Sequence, residues 1–182
     1  MVADPFNPFA ACHFRLKYAT DPWETAGAAA LRRQVFCDEQ QIFEGDDRDA
    51  VDETAIHLVA LSTMAVLADE VVGTVRIHQS EPGIWYGSRL AVDARYRRVG
   101  ALGAALIKLA VSSANALGCI RFYANVQAQN ELMFRRLNWQ RVEEVTLHGM
   151  PHVFMQADLA AYPALDNAPE GFHALAGKKA AA

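Results

Sequence analysis

The stretch RYRRVGALGAALIKLAVSSANALG, residues 95–118, sets a basic, glycine-containing turn directly before a strong helical pattern. Leu106, Leu109, Ala110, Ser113, Ala114 and Leu117 recur at helical spacing, and Gly118 closes the run. Upstream, residues 84–92 read as a strand, so the junction is strand, tight turn, long apolar helix. The first turn of a helix offers unpaired N–H groups and the positive end of its dipole, which together receive a phosphate. Glycine allows close backbone approach and positive φ. Arg97 and Arg98 add charge-assisted hydrogen bonds. The combination suits a pyrophosphate-bearing cofactor; the plainer reading of the same residues is a solvated arginine cluster at a sheet end.

Outward from that junction, the pattern predicts a strand over 12–19 and a helix starting at Asp21-Pro22-Trp23-Glu24, where Asp and Glu have capping-box spacing and Pro suits the first helical position. This helix is expected to reach about Glu39, followed by an acidic loop over 40–53. Strands are expected over 55–62, 70–79 and 84–92, with turns at Ala68-Asp69-Glu70 and Pro82-Gly83. After the 104–117 helix come a strand over 119–126, a short helix over 129–137, and strands over 139–147 and 152–157. The order β-α-β-β-β-α-β-α-β-β predicts an α/β (α+β) domain: a mixed, mostly antiparallel sheet of about seven strands with helices on both faces.

Of the 182 residues 52% are hydrophobic and 21% charged, enough for a full core and too few charges for a disordered chain. A net charge of −4 argues against nucleic-acid binding, which needs clustered positive charge over a surface. The cysteines, Cys12, Cys37 and Cys119, are odd in number and far apart, which argues against a zinc site or a disulfide framework and for a reducing compartment. Residues 1–11 carry no basic segment followed by an apolar run, so no secretory signal is expected and the location expected is cytoplasmic. The apolar run 99–117 is broken by Lys108, Ser112, Ser113 and Asn115, which fits a buried helix and not a membrane span.

The turn resembles the cofactor motif of the GNAT acetyltransferase superfamily: Arg or Gln, two residues, Gly, one residue, then Gly or Ala. Two registers compete. Arg97 and Gly100 fit from the strand side, with Leu102 in the second small position; Arg98 and Gly103 fit from the helix side, with Ala101 replacing the first glycine. Helix spacing favours the second. Leu31-Arg32-Arg33-Gln34-Val35-Phe36 with Glu39-Gln40, then Val126-Gln127-Ala128-Gln129, Phe134-Arg135-Arg136-Leu137-Asn138-Trp139 and Gly149-Met150-Pro151-His152 are similar to the ElaA-like branch, and to acetyltransferases encoded beside nitrilases. The resemblance covers about residues 30–158. It implies an acyltransferase domain at 12–159, with a lead-in at 1–11 and an Ala-rich tail at 160–182, ordered only where it docks.

The resemblance further implies direct acyl transfer from acetyl-CoA or another acyl-CoA to an amine, expected here to be a small molecule, in a protein that can form a homodimer. Backbone at Leu90, Ala91 and Val92 would pair with pantetheine. Arg97, Arg98, Val99, Gly100, Ala101, Leu102, Gly103 and Ala104 would surround the pyrophosphate, and Asn130 and Phe134 would flank pantetheine. Phe134 stands where similar enzymes place an acidic Tyr. Glu39, Tyr86 and His152 are the catalytic candidates. His57 and His78 read as structural strand histidines, and Cys37 and Cys119 as small core residues. The loop from Glu44 to Glu53 is a candidate wall for a cationic amine. Two other readings remain: an acyl-homoserine-lactone-synthase-like enzyme, which would not need the pyrophosphate turn, and a catalytically degenerate acyl-CoA sensor.

Overall fold

The computed structural model describes residues 13–64, 67–98 and 101–175. Its eight strands form one sheet in the order β6-β7-β5-β4-β3-β2-β1-β8. Strands β1 (His13–Tyr18), β2 (Ile56–Met64), β3 (Leu67–Glu81) and β4 (Ile84–Val92) are successive antiparallel neighbours. A crossover through helix α2 (Leu102–Ala116) lays β5 (Arg121–Gln127) parallel to β4. After helix α3 (Glu131–Arg136), β6 (Trp139–Leu147) forms the sheet edge, and β7 (Met150–Ala157) inserts between β6 and β5.

Strand alternation separates two apolar faces. Leu58, Ala60, Val72 and Ile77 join Leu102, Leu106, Leu109 and Val111 of α2 in the main core. The intervening residues Val59, Leu61 and Val71 face helix α1 (Pro22–Arg33) through Ala28. The helices thus cover opposite faces.

Helix α1 starts where the capping pattern places it. The Glu24 carboxylate accepts from the N–H groups of Thr20 (2.8 Å) and Asp21 (3.1 Å) and from the buried Lys17 ammonium (2.5 Å), tying the helix start to β1. The expected single helix to Glu39 changes character at Gln34. Residues Gln34–Glu39 form a π-helical turn, with the Gln40 N–H bonded to the Val35 carbonyl at 3.0 Å. Val35 and Phe36 both bury there against Leu31 and Ala91. The expected turn at 68–70 is corrected: Ala68 and Glu70 pair with β2 as part of β3. Helix α2 begins at Leu102, two residues earlier than its apolar spacing suggested.

The sheet has one strand more than expected because part of the tail docks on the body. Tyr162 is buried; its hydroxyl donates to the Leu137 carbonyl and accepts from Trp139 Nε1 at 3.1 Å. Strand β8 (Phe172–Leu175) then pairs antiparallel with β1. Gly171 makes this approach possible: φ is +71°, and a Cβ there would stand 1.6 Å from the Leu16 carbonyl oxygen. No helix among the described residues is long and apolar enough to cross a membrane.

Candidate active site

Strands β4 and β5 pair only from Ile84↔Arg121 to Gly87↔Ala124, and beyond that level they part. The cause lies in β4. Thr74 pairs with Ala91 but Arg76 pairs with Ser88, so β4 carries an extra residue opposite Val75. Arg89, within this bulge, has φ +55°, a conformation that costs a non-glycine residue roughly 1–2 kcal/mol. A cavity of about 320 Å³ fills the resulting opening. It passes through the sheet: Ile107, Ala110 and Val111 of α2 line one end, and Phe36, Phe43 and Tyr86 line the other.

On the α2 side, Leu90, Val126, Asn130 and Phe134 line the slot. Phe134 packs edge-on against Trp139, with centroids 5.1 Å apart, and offers no proton. Ala91 does not reach the cavity; its side chain is buried with Leu31, Val35 and Phe36. The Val92 carbonyl accepts from Arg97 Nε at 2.9 Å. Ala101 caps α2 in the left-handed conformation, and Leu102 turns its side chain into the core at 1% exposure. At Gly103 a Cβ would meet nothing within 4 Å, and Ala104 beside it is half-buried, so the α2 N-terminus presents open backbone. Val99 and Gly100 lie outside the described residues.

The arginines that crowd the sequence do different things in space. Arg89 joins Asp47 and Asp49, Arg95 joins Asp93 and Glu70, and Arg97 joins Glu39 at 2.5 Å. Arg98 is exposed and makes no ion pair among the described residues. Glu39, a candidate base, is brought to Arg97 and does not line the slot.

On the α1 side the acidic loop has a role other than the expected wall for a cationic amine. Arg32 Nε donates to Asp47 at 2.8 Å, and its terminal nitrogens donate to Asp52 at 2.6 and 3.1 Å. Arg76 bridges Asp49 at 2.6 and 2.8 Å and Asp52 at 2.8 Å, and donates to Ser88 Oγ at 2.9 Å. Arg89 Nε lies 3.0 Å from Asp47 Oδ2, and its Nη2 donates to the Asp47 carbonyl at 3.0 Å. Three carboxylates are therefore paired with three guanidiniums, although Asp47 Oδ1 is buried without a partner among the described residues, and Arg32, Asp47 and Arg76 are each at most 3% exposed. A buried charge demands such pairing. Arg76 holds Asp49 below its ordinary pKa. Burial alone would raise Asp52, but hydrogen bonds from Arg32, the Asp49 N–H and Arg76 hold it well below the carboxylate range.

Three histidines line the slot. His152 Nδ1 lies 3.0 Å from the Met150 carbonyl oxygen. A carbonyl only accepts, so Nδ1 carries a proton, and in the neutral ring the lone pair is on Nε2. His152 pairs in register with Gln127, at the level where β4 and β5 have parted. His78 pairs with Tyr86, below the bulge, and stacks on its ring at 5.6 Å. Burial lowers the pKa of His78 and keeps it neutral at pH 7. His148, with φ +51°, packs edge-on against Phe43 at 4.8 Å. Burial also lowers His57, which lies 3.7 Å from Asp52 and does not line the slot. Cys119 is buried and pushed up to about 11. Among the described residues no three His, Cys, Asp or Glu side chains converge to hold a metal ion.

Sequence reasoning found Tyr86 and His152, which line the slot, but missed Arg32, Arg76, Arg89, Phe43 and His148 as its neighbours. Arg76 carried a readable signal: a charge between Val75 and Ile77 in an apolar strand requires a buried partner.

A sheet splayed at a bulge, with a crossover helix packed over the gap, is the architecture that the sequence resemblance implies. The chain belongs to the Acetyltransferase (GNAT) family, whose profile matches residues 16–136. Solved structures share the fold at low identity. One is a putative N-acetyltransferase from Lactobacillus plantarum, at 19% identity and TM-score 0.70, covering 80% of this chain and 98% of that one. Another is ElaA of Escherichia coli, at 20% identity and TM-score 0.61, with 80% and 98% covered. A third is the AHL synthase LasI, at 16% identity and TM-score 0.60, with 86% and 98% covered. No curated protein matches the chain by sequence.

Proposed function

We propose that the protein is an acyl-CoA-dependent N-acyltransferase that acylates the amine of a small molecule. The observation that carries this reading is the gap between β4 and β5 at the Arg89 bulge, filled by a cavity that reaches the α2 face of the sheet. A pantetheine arm suits the unpaired edge of β4 near Leu90, where it adds as a strand would. The N–H groups of α2 and the exposed Arg98 suit the pyrophosphate.

Bound acyl-CoA supplies the thioester; the amine nitrogen forms the new C–N bond at its carbonyl carbon, and the C–S bond breaks. Backbone N–H groups freed from the ladder at the bulge serve the developing oxyanion. His152 Nε2 takes the proton from the attacking nitrogen, since it is the lone pair level with the gap. Phe134 supplies no acid, so the thiolate takes its proton from water.

The test is release of free thiol from acetyl-CoA with a panel of primary amines. The expected result is amine-dependent release, with kcat reduced about 100- to 10,000-fold in His152→Ala. Tight acetyl-CoA binding without thiol release on any amine would replace this reading with that of a sensor.

A further inference from the structure

The acceptor end of the slot bears on which amines it takes. Its charged lining residues are Arg76 and Arg89, and no Asp or Glu lines it among the described residues. The nearby carboxylates of Asp47, Asp49 and Asp52 are turned onto Arg32, Arg76 and Arg89. Every nitrogen of Arg76 is engaged, with Nε on Ser88 and both terminal nitrogens on Asp49. Arg89 is different. Its Nε and Nη2 hold Asp47 and Asp49, its ring-facing side lies 4.4 Å over Phe43, and Nη1 has no partner among the described residues. Beside Gln40 and Ser88, the rest of this end is largely apolar or aromatic: Phe36, Ile42, Phe43, Tyr86 and Leu147.

We infer that the acceptor is an amine that also bears a carboxylate on an apolar or aromatic body, as amino acids do, and that Arg89 Nη1 binds the carboxylate. This rests on the acyltransferase reading for its chemistry, but the recognition is a property of the slot itself. A polycationic amine finds two guanidiniums and no free carboxylate there, and is disfavoured by like charge. A carboxylate meets a guanidinium that is already oriented, two of whose nitrogens are fixed by the acidic loop. The same contact explains the left-handed strain at Arg89: the bulge that opens the donor gap also turns this side chain toward the acidic loop.

The test uses matched pairs that differ by a carboxylate: phenylalanine with phenethylamine, tryptophan with tryptamine, leucine with isoamylamine. Binding of each to the intact protein is measured by calorimetry without acetyl-CoA, and turnover by thiol release with it. The expected result is that the carboxylate-bearing member of at least one pair binds or turns over about tenfold better or more, the scale of one hydrogen bond to a charged group. In Arg89→Gln that preference falls to near parity. Arg89→Lys, which keeps the charge, retains part of it, so a general loss of structure is distinguished from loss of the anion partner. Equal or better performance of the decarboxylated amines, or no response to any member of the panel, overturns the inference. Preferential binding of the amino acids without any binding of acetyl-CoA would leave the inference standing and remove the acyltransferase reading instead.

Discussion

The two ends of the slot are built differently. At the α2 end the walls are apolar side chains, Ile107, Ala110, Val111 and Phe134, and the proposed pyrophosphate site is the helix start at Ala101 and Gly103 with the exposed Arg98. At the α1 end, six charged side chains from a helix, a loop and two strands neutralise one another and fix the wall. The helix start of the first is contiguous in sequence; the second is assembled from positions 32 to 89 and largely buried. Changes should therefore be costly for the fold at the second and costly mainly for ligand affinity at the first.

The largest expected effect is at Arg32. Arg32→Met leaves Asp47 and Asp52 each short of a buried partner, and should lower unfolding free energy in urea by about 3–5 kcal/mol. A cost under about 1 kcal/mol, the size of an exposed pair, would show that the network is not a buried unit. The same contrast has a pH signature. Asp49 and Asp52 have folded pKa values held below their unfolded ones, so their stabilisation is present above the ordinary value of 3.8. It is lost as pH falls from there toward the folded values. Acid titration of the wild type should show stability falling below about pH 4, and Asp49→Asn should flatten that limb. An unchanged limb would remove Asp49 from the account.

Gly171→Ala comes next, at roughly 1–3 kcal/mol, because the backbone must leave positive φ and the Leu16 carbonyl. Amide exchange along β1 should speed up as β8 detaches, and unchanged protection would mean that β8 does not depend on this crossing. The smallest effect is at Arg97, paired with Glu39 at 42% and 30% side-chain exposure. Arg97→Ala should cost under about 1 kcal/mol in the same urea assay. A larger loss would make this pair part of the frame that holds the π-helical turn against β4.

This division also explains what the sequence made legible. The strand–turn–helix junction at 84–118 is local, so its periodicity and glycines specify it directly, and β4 and β6 fall where alternation placed them. Local pattern also placed the capping residues Asp21, Pro22 and Glu24 at the start of α1. The Arg32–Asp47–Arg89 chain has no local signature, because its members meet only once β3, β4 and α1 have packed. That is why the acidic loop reads as an amine-binding wall in sequence and is an internal counter-charge in the fold. The bulge at Arg89 is invisible for a related reason: it is defined by register against Val75, a property of two strands together. The tail misleads through composition, since Ala- and Pro-rich chain reads as an appendage. The contacts that order it depend on the single residues Tyr162 and Gly171.

The most direct test of the central claim is a calorimetric titration of acetyl-CoA into the intact protein and into Arg98→Glu. The account predicts saturable binding to the wild type and a weakening of about ten- to a hundredfold in the variant, the scale of lost charge-assisted hydrogen bonds. Equal binding to both would move the pyrophosphate off Arg98 and away from the favoured register. No binding to the wild type would contradict the claim that the gap between β4 and β5 receives acyl-CoA.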